Sequence, residues 1–265
     1  MRKASLSMMA DAAVLSVMPE ECHSATTASQ KFGRFGIVRR YNGRMVVVHH
    51  LENSRSQRVL WLLEELAVPY EVKRYERNRE TMLAPPQLLA VHPLGKSPVI
   101  VDGGVTVAES GAIIEYLVDK YGDGRLIPPT GTPERLRYTY WMHYAEGSAM
   151  PPMLLKLVFS RVASSPAPWP ISVIARRIAA TVDKAFIGPN VQRNLDFMNS
   201  ELATRTWFAG DEFTAADVQM SFPVEVAAAR AGLDATRPQL FGYLQRIHAR
   251  DAYKRALERG GPYQY

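Results

Sequence analysis

The sequence predicts an α+β protein in which an amino-terminal βαβαββα domain is followed by an all-α helical bundle domain. Three observations predict this class. Runs of β-branched residues with the length of a strand occur between residues 45 and 108. Apolar residues with helical spacing separate these runs, and beyond Thr132 only the helical patterns remain. Residues 1–44 have no sustained apolar periodicity and are expected to be a disordered leader or a targeting segment, with Met45 as an alternative start.

The first predicted strand is MVVVHHL, residues 45–51, which is β-branched and bounded downstream by a polar segment. A helix follows, because Val59, Leu62, Leu63 and Leu66 fall at i, i+3, i+4 and i+7 before Pro69 interrupts the pattern. The second strand is predicted over residues 70–75 and a short helix over residues 87–91.

An Asp-Gly-Gly turn at residues 102–104 predicts a hairpin between strands 98–101 and 105–108. A helix is predicted over residues 109–120. The domain boundaries are therefore placed at 45–124 for the βαβαββα domain, 125–131 for the linker and 132–265 for the helical domain. Within the helical domain, breaks are expected at four places: Pro151-Pro152, the segment SSPAPWP, Gly188-Pro189 and Gly210.

The net charge of +6 is concentrated in the leader, where seven Lys and Arg face three acids, so residues 45–265 carry only +2. This balance argues against a nucleic-acid partner. No apolar run approaches the ~20 residues of a membrane span, so no membrane partner is expected. The lone cysteine, Cys22, excludes an intrachain disulfide and favours a reducing, cytoplasmic location.

Four segments in order resemble the cytosolic glutathione S-transferase family: HHLENSRSQRVLWLLEEL, HPLGKSPVIVDGG, AESGAIIEYLVDKYG and WFAGDEFTAADV. The nearest pattern is that of bacterial and fungal members with an HSR-like segment after the first strand. The resemblance implies a thioredoxin-like first domain, an all-helical second domain and a homodimer. It also implies glutathione as cosubstrate, without a further cofactor, and a small hydrophobic electrophile as second substrate.

The resemblance assigns the glutathione-binding residues. Pro98 would follow a cis peptide bond, so that the N–H and C=O of Ser97 pair with the cysteinyl part of glutathione, while Lys96 reaches its glycine carboxylate. Ser110 would hold the γ-glutamyl carboxylate at a helix amino terminus, where unpaired N–H groups favour anions. Glu109 would contact the ammonium group. Capping of the helix is a second role for this pair.

The resemblance also places a thiol-activating residue in the turn after the first strand. A hydroxyl or amide that donates a hydrogen bond to sulfur favours the thiolate and lowers the thiol pKa. Ser54 is the first candidate and Asn53 the second, and the alternative is that both only cap the helix while backbone N–H groups activate the thiol.

In the helical domain, Tyr140, Tyr144 and Met150 lie on the helix that lines the electrophile pocket in the family, although helical aromatic spacing often reflects core packing. Thr214 and Asp217 have capping-box spacing and are expected to be structural. Scattered histidines predict no metal site.

The expected activity is conjugation of glutathione to an apolar electrophile or reduction of a peroxide. Alternatives are glutathione-dependent disulfide reduction and a non-catalytic interaction module.

Overall fold

The computed structural model describes residues 45–78, 81, 83–261 and 263, so the predicted leader at residues 1–44 lies outside the described part of the chain. The strands are β1 (Val46–Leu51), β2 (Tyr70–Tyr75), β3 (Val99–Asp102) and β4 (Val105–Ala108). The helices are α1 (Ser56–Leu66), α2 (Ser110–Tyr121), α3 (Pro133–Tyr144), α4 (Met150–Ser164), α5 (Ile171–Val182), α6 (Gly188–Glu201), α7 (Ala215–Arg230), α8 (Pro238–Ala249) and α9 (Asp251–Gly260).

The four strands form one mixed sheet in the order β2-β1-β3-β4, with β1 and β2 parallel and the other neighbours antiparallel. Val48 in the centre of β1 lies opposite Val72 of β2 and Ile100 of β3. The thioredoxin-like fold class is thus as predicted, with one difference in detail. The connection between β2 and β3 holds a 3-10 helix, Pro86–Ala90, where the sequence predicted a short helix.

Helix α1 is buried on nearly every side, because Leu60 and Trp61 are as inaccessible as the predicted face that contains Val59 and Leu62. Helices α2, α7 and α9 all pack against α1. A helix with apolar residues around its whole circumference is one that neighbours surround.

The last helix packs closely on α1. Arg250, just before α9, donates two hydrogen bonds to the carboxylate of Glu65 at 2.5 and 2.9 Å. The edge of Tyr253 meets Trp61 with ring centroids 5.2 Å apart. A side chain at Gly260 would put its Cβ 2.2 Å from Oε1 of Gln57, so glycine permits the close approach of the two helices.

Two of the breaks expected in the helical domain are wrong. Pro151 and Pro152 lie in the first turn of α4, which continues from α3 through a π-helical turn, Ala145–Ala149. Gly188 and Pro189 likewise begin α6 directly after a second π-helical turn, Asp183–Ile187. The wider π turn changes which carbonyls accept hydrogen bonds, so a proline without N–H is accommodated there.

The capping box predicted at the start of α7 is present. The carboxylate of Asp217 accepts hydrogen bonds from the N–H of Thr214 at 2.9 Å and from its hydroxyl at 3.1 Å. It also accepts the N–H of Phe208 at 2.9 Å, which anchors the preceding loop. Among the described residues, no helix is both long enough and apolar enough to cross a membrane.

Candidate active site

The turn between β1 and α1 contains both predicted thiol-activating residues. Asn53 is exposed and has a φ of 48°, in the left-handed region that asparagine tolerates. Ser54 is only 5% exposed, its Oγ lies 2.7 Å from Oγ of Ser56, and it accepts the N–H of Ser56 at 3.2 Å. The Ser54 hydroxyl is therefore fixed at the amino end of α1, which begins at Ser56.

A buried histidine extends this hydroxyl pair. Oγ of Ser56 lies 2.8 Å from Nδ1 of His50, near the carboxyl end of β1. Burial lowers the pKa of His50 to about 4, although a hydrogen bond to the Gly260 backbone acts in the opposite direction. The ring is therefore neutral near pH 7. His49 makes a separate contact, with its Nδ1 2.8 Å from the hydroxyl of Tyr75.

The peptide bond between Ser97 and Pro98 is cis. The Ser97 hydroxyl donates to the carbonyl of His49 at 2.8 Å and accepts the N–H of Leu51 at 3.2 Å, so its side chain fixes this turn against β1. Within the described part of the chain, the N–H and C=O of Ser97 make no hydrogen bond to another backbone group. Lys96 is exposed beside the turn. The N–H of Ser97 as a donor and its C=O as an acceptor are therefore accessible to an extended ligand.

Glu109 and Ser110 join β4 to α2. Glu109 is exposed and has a φ of 70°, a conformation that is strained for a residue with a side chain. Ser110 is buried at the first position of α2, and its Oγ accepts a hydrogen bond from Arg58 at 2.6 Å. Because Arg58 can only donate, the Ser110 proton remains for another acceptor.

The sequence did not predict the ionic network beside these residues. The Arg58 side chain is 1% exposed and donates to the carbonyl of Gln219 at 2.6 Å and to the carboxylate of Glu146. Arg55 also donates to Glu146, at 3.0 Å from each oxygen. Burial acts to raise the pKa of Glu146, but the two guanidinium groups outweigh it and hold that pKa below its usual value. The network connects α1, α2, α7 and the first π turn.

One signal in the sequence points to this buried arginine. Arg58 precedes a continuous apolar run, residues 59–63, which is longer than a single helical face requires. Such a run predicts a helix that is buried on all sides. An arginine in that helix is then buried as well, so its charge needs partners of opposite charge. Glu146 has no comparable signal, because its contact with Arg58 spans 88 residues.

Of the residues predicted for the electrophile pocket, two contact helix α6. Tyr140 is 47% exposed, and its ring stacks on Tyr144 with centroids 5.6 Å apart. Tyr144 packs against Phe197 of α6 and donates a hydrogen bond to Asn194 of the same helix. Met150 is buried at the start of α4. The structure thus brings Ser54 and Ser97 to the end of β1, while Tyr140 and Tyr144 belong to an aromatic cluster with α6.

A cavity of about 260 Å³ has walls that include His50, Glu52, Asn53 and Gly260. A second cavity, of about 630 Å³, is lined by residues of α8, α9 and the chain after α9. Ser97 and Ser110 line neither cavity. Within the described residues, no group of three or more His, Cys, Asp or Glu side chains could hold a metal ion.

Two family models match the chain. The model for the amino-terminal domain of glutathione S-transferases matches residues 43–119, and the model for the carboxyl-terminal domain matches residues 163–251. The first match includes the β1–α1 turn, the cis-proline turn and the start of α2.

Named relatives and a solved structure agree with these models. The chain is 42% identical to glutathione S-transferase 3 of Schizosaccharomyces pombe over 69% of this chain and 74% of that protein. It is 31% identical to glutathione S-transferase 1 of Saccharomyces cerevisiae over 81% of this chain and 95% of the relative. The crystal structure of a glutathione S-transferase from Actinobacillus pleuropneumoniae, 31% identical, superposes with a TM-score of 0.68 over 82% of this chain and 93% of the other. The chain therefore belongs to the glutathione S-transferase family of enzymes.

Proposed function

We propose that the Ser54 hydroxyl activates the thiol of glutathione for attack on a small apolar electrophile or a peroxide. The observation that carries the proposal is the fixed hydroxyl of Ser54 in the β1–α1 turn, bonded to Ser56 and located at the amino end of α1. A hydroxyl held there donates a hydrogen bond to sulfur without a loss of side-chain freedom, and the helix terminus favours the negative charge.

The tripeptide backbone is proposed to pair with the turn at Ser97. Because the Ser97 side chain is bonded to β1, its main-chain N–H and C=O are held in a constant position for the cysteinyl part of glutathione. Pro98 is buried beneath this turn. The ammonium group of Lys96, which is exposed next to it, is proposed to bind the glycine carboxylate.

Ser110 is proposed to bind the γ-glutamyl carboxylate. Its oxygen accepts from the buried guanidinium of Arg58, so its proton is oriented away from Arg58 and is polarised by a positive charge. The unpaired N–H groups in the first turn of α2 favour the same anion. Glu109 is exposed beside them, and its strained backbone holds the carboxylate near the position proposed for the ammonium group.

The electrophile pocket is proposed to include Met150, with Tyr140 and Tyr144 at its far edge. Met150 begins α4 directly after the π turn whose Glu146 bonds to Arg55 at the start of α1. The proposal also includes a homodimer and a cytoplasmic location. Its domain limits are 45–124 for the glutathione-binding domain, 125–131 for the linker and 132–265 for the helical domain.

The test measures the pKa of bound glutathione by ultraviolet absorbance of the thiolate across pH. A hydrogen bond to a charged group contributes about 1.5–3 kcal/mol, so Ser54→Ala should raise this pKa by about one to two pH units. Glutathione affinity below the thiol pKa should change little. Ser200→Ala, which removes an exposed hydroxyl bonded only within α6, is the matched control.

Asn53→Ala decides between the candidates. If it shifts the thiol pKa more than Ser54→Ala does, the role belongs to Asn53. If neither variant shifts the pKa while conjugation persists, the backbone and the helix terminus activate the thiol and the proposal fails.

A further inference from the structure

Three buried side chains form a continuous hydrogen-bonded chain from the β1–α1 turn into the protein. Ser54, Ser56 and His50 are 5%, 0% and 3% exposed. The distances are 2.7 Å between the two hydroxyl oxygens and 2.8 Å from Oγ of Ser56 to Nδ1 of His50. The ring of His50 is also bonded to the Gly260 backbone and lines the cavity of about 260 Å³. The chain thus connects the Ser54 hydroxyl with the cavity that His50 lines.

The number of protons determines how this chain can be arranged. Each hydroxyl donates one hydrogen bond, and the His50 ring is neutral because burial keeps its pKa near 4. Because Nδ1 contacts Ser56, the hydrogen bond to the Gly260 backbone is assigned to Nε2, which puts the ring proton of the free protein on Nε2 and leaves Nδ1 to accept from Ser56. The Ser56 hydroxyl also lies 3.2 Å from the carbonyl of Leu51, but its single proton goes to Nδ1, the closer acceptor at 2.8 Å, and Ser54 donates inward to Ser56.

A thiolate favours the reverse arrangement. Ser54 can donate to sulfur and keep its hydrogen bond to Ser56 only if Ser56 donates to Ser54, and Ser56 then accepts from a proton on Nδ1 of His50. A hydrogen bond to a charged acceptor is roughly twice as strong as one between neutral groups. The bond from Ser54 to the thiolate therefore outweighs the bond from His50 to Gly260, which is lost.

We propose that His50 is a positioning residue whose ring proton moves from Nε2 to Nδ1 when glutathione ionises, which turns the Ser54 hydroxyl toward the sulfur. This inference rests on the proposed role of Ser54.

The protons balance across the chain. The S–H bond breaks and its proton passes to Ser54, whose own proton passes to Ser56. The proton of Ser56 passes to Nδ1, and the Nε2 proton is released to water in the cavity. One proton leaves the sulfur and one enters solvent. Neither serine changes its charge.

The first test is the tautomer of His50, read from ¹⁵N chemical shifts of protein labelled at histidine nitrogens. The free protein should have the proton on Nε2. Saturation with glutathione at a pH above the bound thiol pKa should move it to Nδ1. S-methylglutathione, which has no ionisable thiol, should leave it on Nε2, and His49 is the internal control because its ring is bonded to Tyr75. A His50 tautomer that is the same with and without glutathione overturns the inference.

The second test uses variants and the absorbance of the bound thiolate. His50→Leu should raise the thiol pKa by a few tenths to one unit, while His50→Asn, whose amide places a donor near the position of Nδ1, should restore most of the shift. In a Ser54→Ala background His50→Leu should add no further shift. An additive shift in the double variant would overturn the inference.

The two proposals fail in different ways. A Ser54→Ala variant with an unchanged thiol pKa overturns the proposed role of Ser54. A Ser54→Ala variant with a raised pKa, combined with a His50 tautomer that does not respond to glutathione, overturns only the inference about His50.

Discussion

Replacement of Glu146 by glutamine tests the ionic network that connects the first π turn to α1. Breaking a buried ion pair costs about 3–5 kcal/mol when the remaining charge is left unpaired. Two features reduce this cost here. The Glu146 side chain is 34% exposed, and Arg58 keeps its bonds to Ser110 and to the carbonyl of Gln219. We expect Glu146→Gln to lower the free energy of unfolding by about 1–3 kcal/mol at pH 7.

The dependence on pH follows from the pKa of Glu146. Burial acts to raise this pKa, but Arg58 and Arg55 hold it below the usual value of 4.5. A carboxyl whose pKa is lower in the folded state contributes stability that is present above its unfolded pKa and is lost as the pH falls through the folded value. The difference between the parent protein and the variant should therefore be constant from about pH 7 to pH 5 and decrease below about 4.5.

Urea unfolding followed by tryptophan fluorescence measures both quantities. Asp251→Asn is the control, since it breaks a pair with Lys254 in which the two side chains are 86% and 57% exposed. Exposed pairs contribute about 1 kcal/mol or less. An equal loss in the two variants would refute the argument that burial of Arg58 makes the Glu146 pair important. A difference that stays constant down to pH 4 would refute the assigned direction of the pKa shift.

Three further predictions concern binding, folding and assembly. Ser110→Ala should weaken glutathione binding about 10- to 150-fold in calorimetry, with a stability loss of about 1 kcal/mol, and unchanged affinity would place the carboxylate elsewhere. Asp217→Asn should lower the free energy of unfolding by about 1–3 kcal/mol in urea, because one amide oxygen cannot accept the three hydrogen bonds from Phe208 and Thr214, and it should leave the bound thiol pKa unchanged. A shift of that pKa without a stability loss would contradict a structural role. Light scattering at micromolar concentration should give twice the 29.7 kDa mass of one chain, and a monomer alone would contradict the homodimer.

Local signals in the sequence predicted most of the sheet. Strands β2 and β4 have the predicted limits, since turn residues and β-branched runs determine where a strand begins and ends. The breaks expected at Pro151 and at Gly188 were wrong. A π-helical turn precedes each position, and its altered hydrogen-bond pattern lets the helix continue although proline has no backbone N–H to donate. Propensity alone does not reveal such a turn.

In the candidate site, too, some features could be located from the sequence and others could not. The turn at Asn53 and Ser54 could be located from a contiguous segment after a clear strand. The contact of Arg58 with Glu146 could not, because it depends on how α3 and the π turn approach α1 across 88 residues. The contact of His50 with Ser56 could not be located either, since it depends on the direction in which β1 and α1 orient these side chains.

The close approach of α9 to α1 has a consequence for synthesis on the ribosome. Glu65 emerges 185 residues before its partner Arg250, and Gly260 follows later still. At translation rates of about 5–20 residues per second, α1 remains without its last neighbour for roughly 10–40 s. During that interval Trp61 and Gln57 lack the surface that buries them in the finished protein. The nascent chain should therefore be a substrate for chaperones that bind exposed apolar helices, and the turn between β1 and α1 should reach its final structure only after α9 has left the exit tunnel.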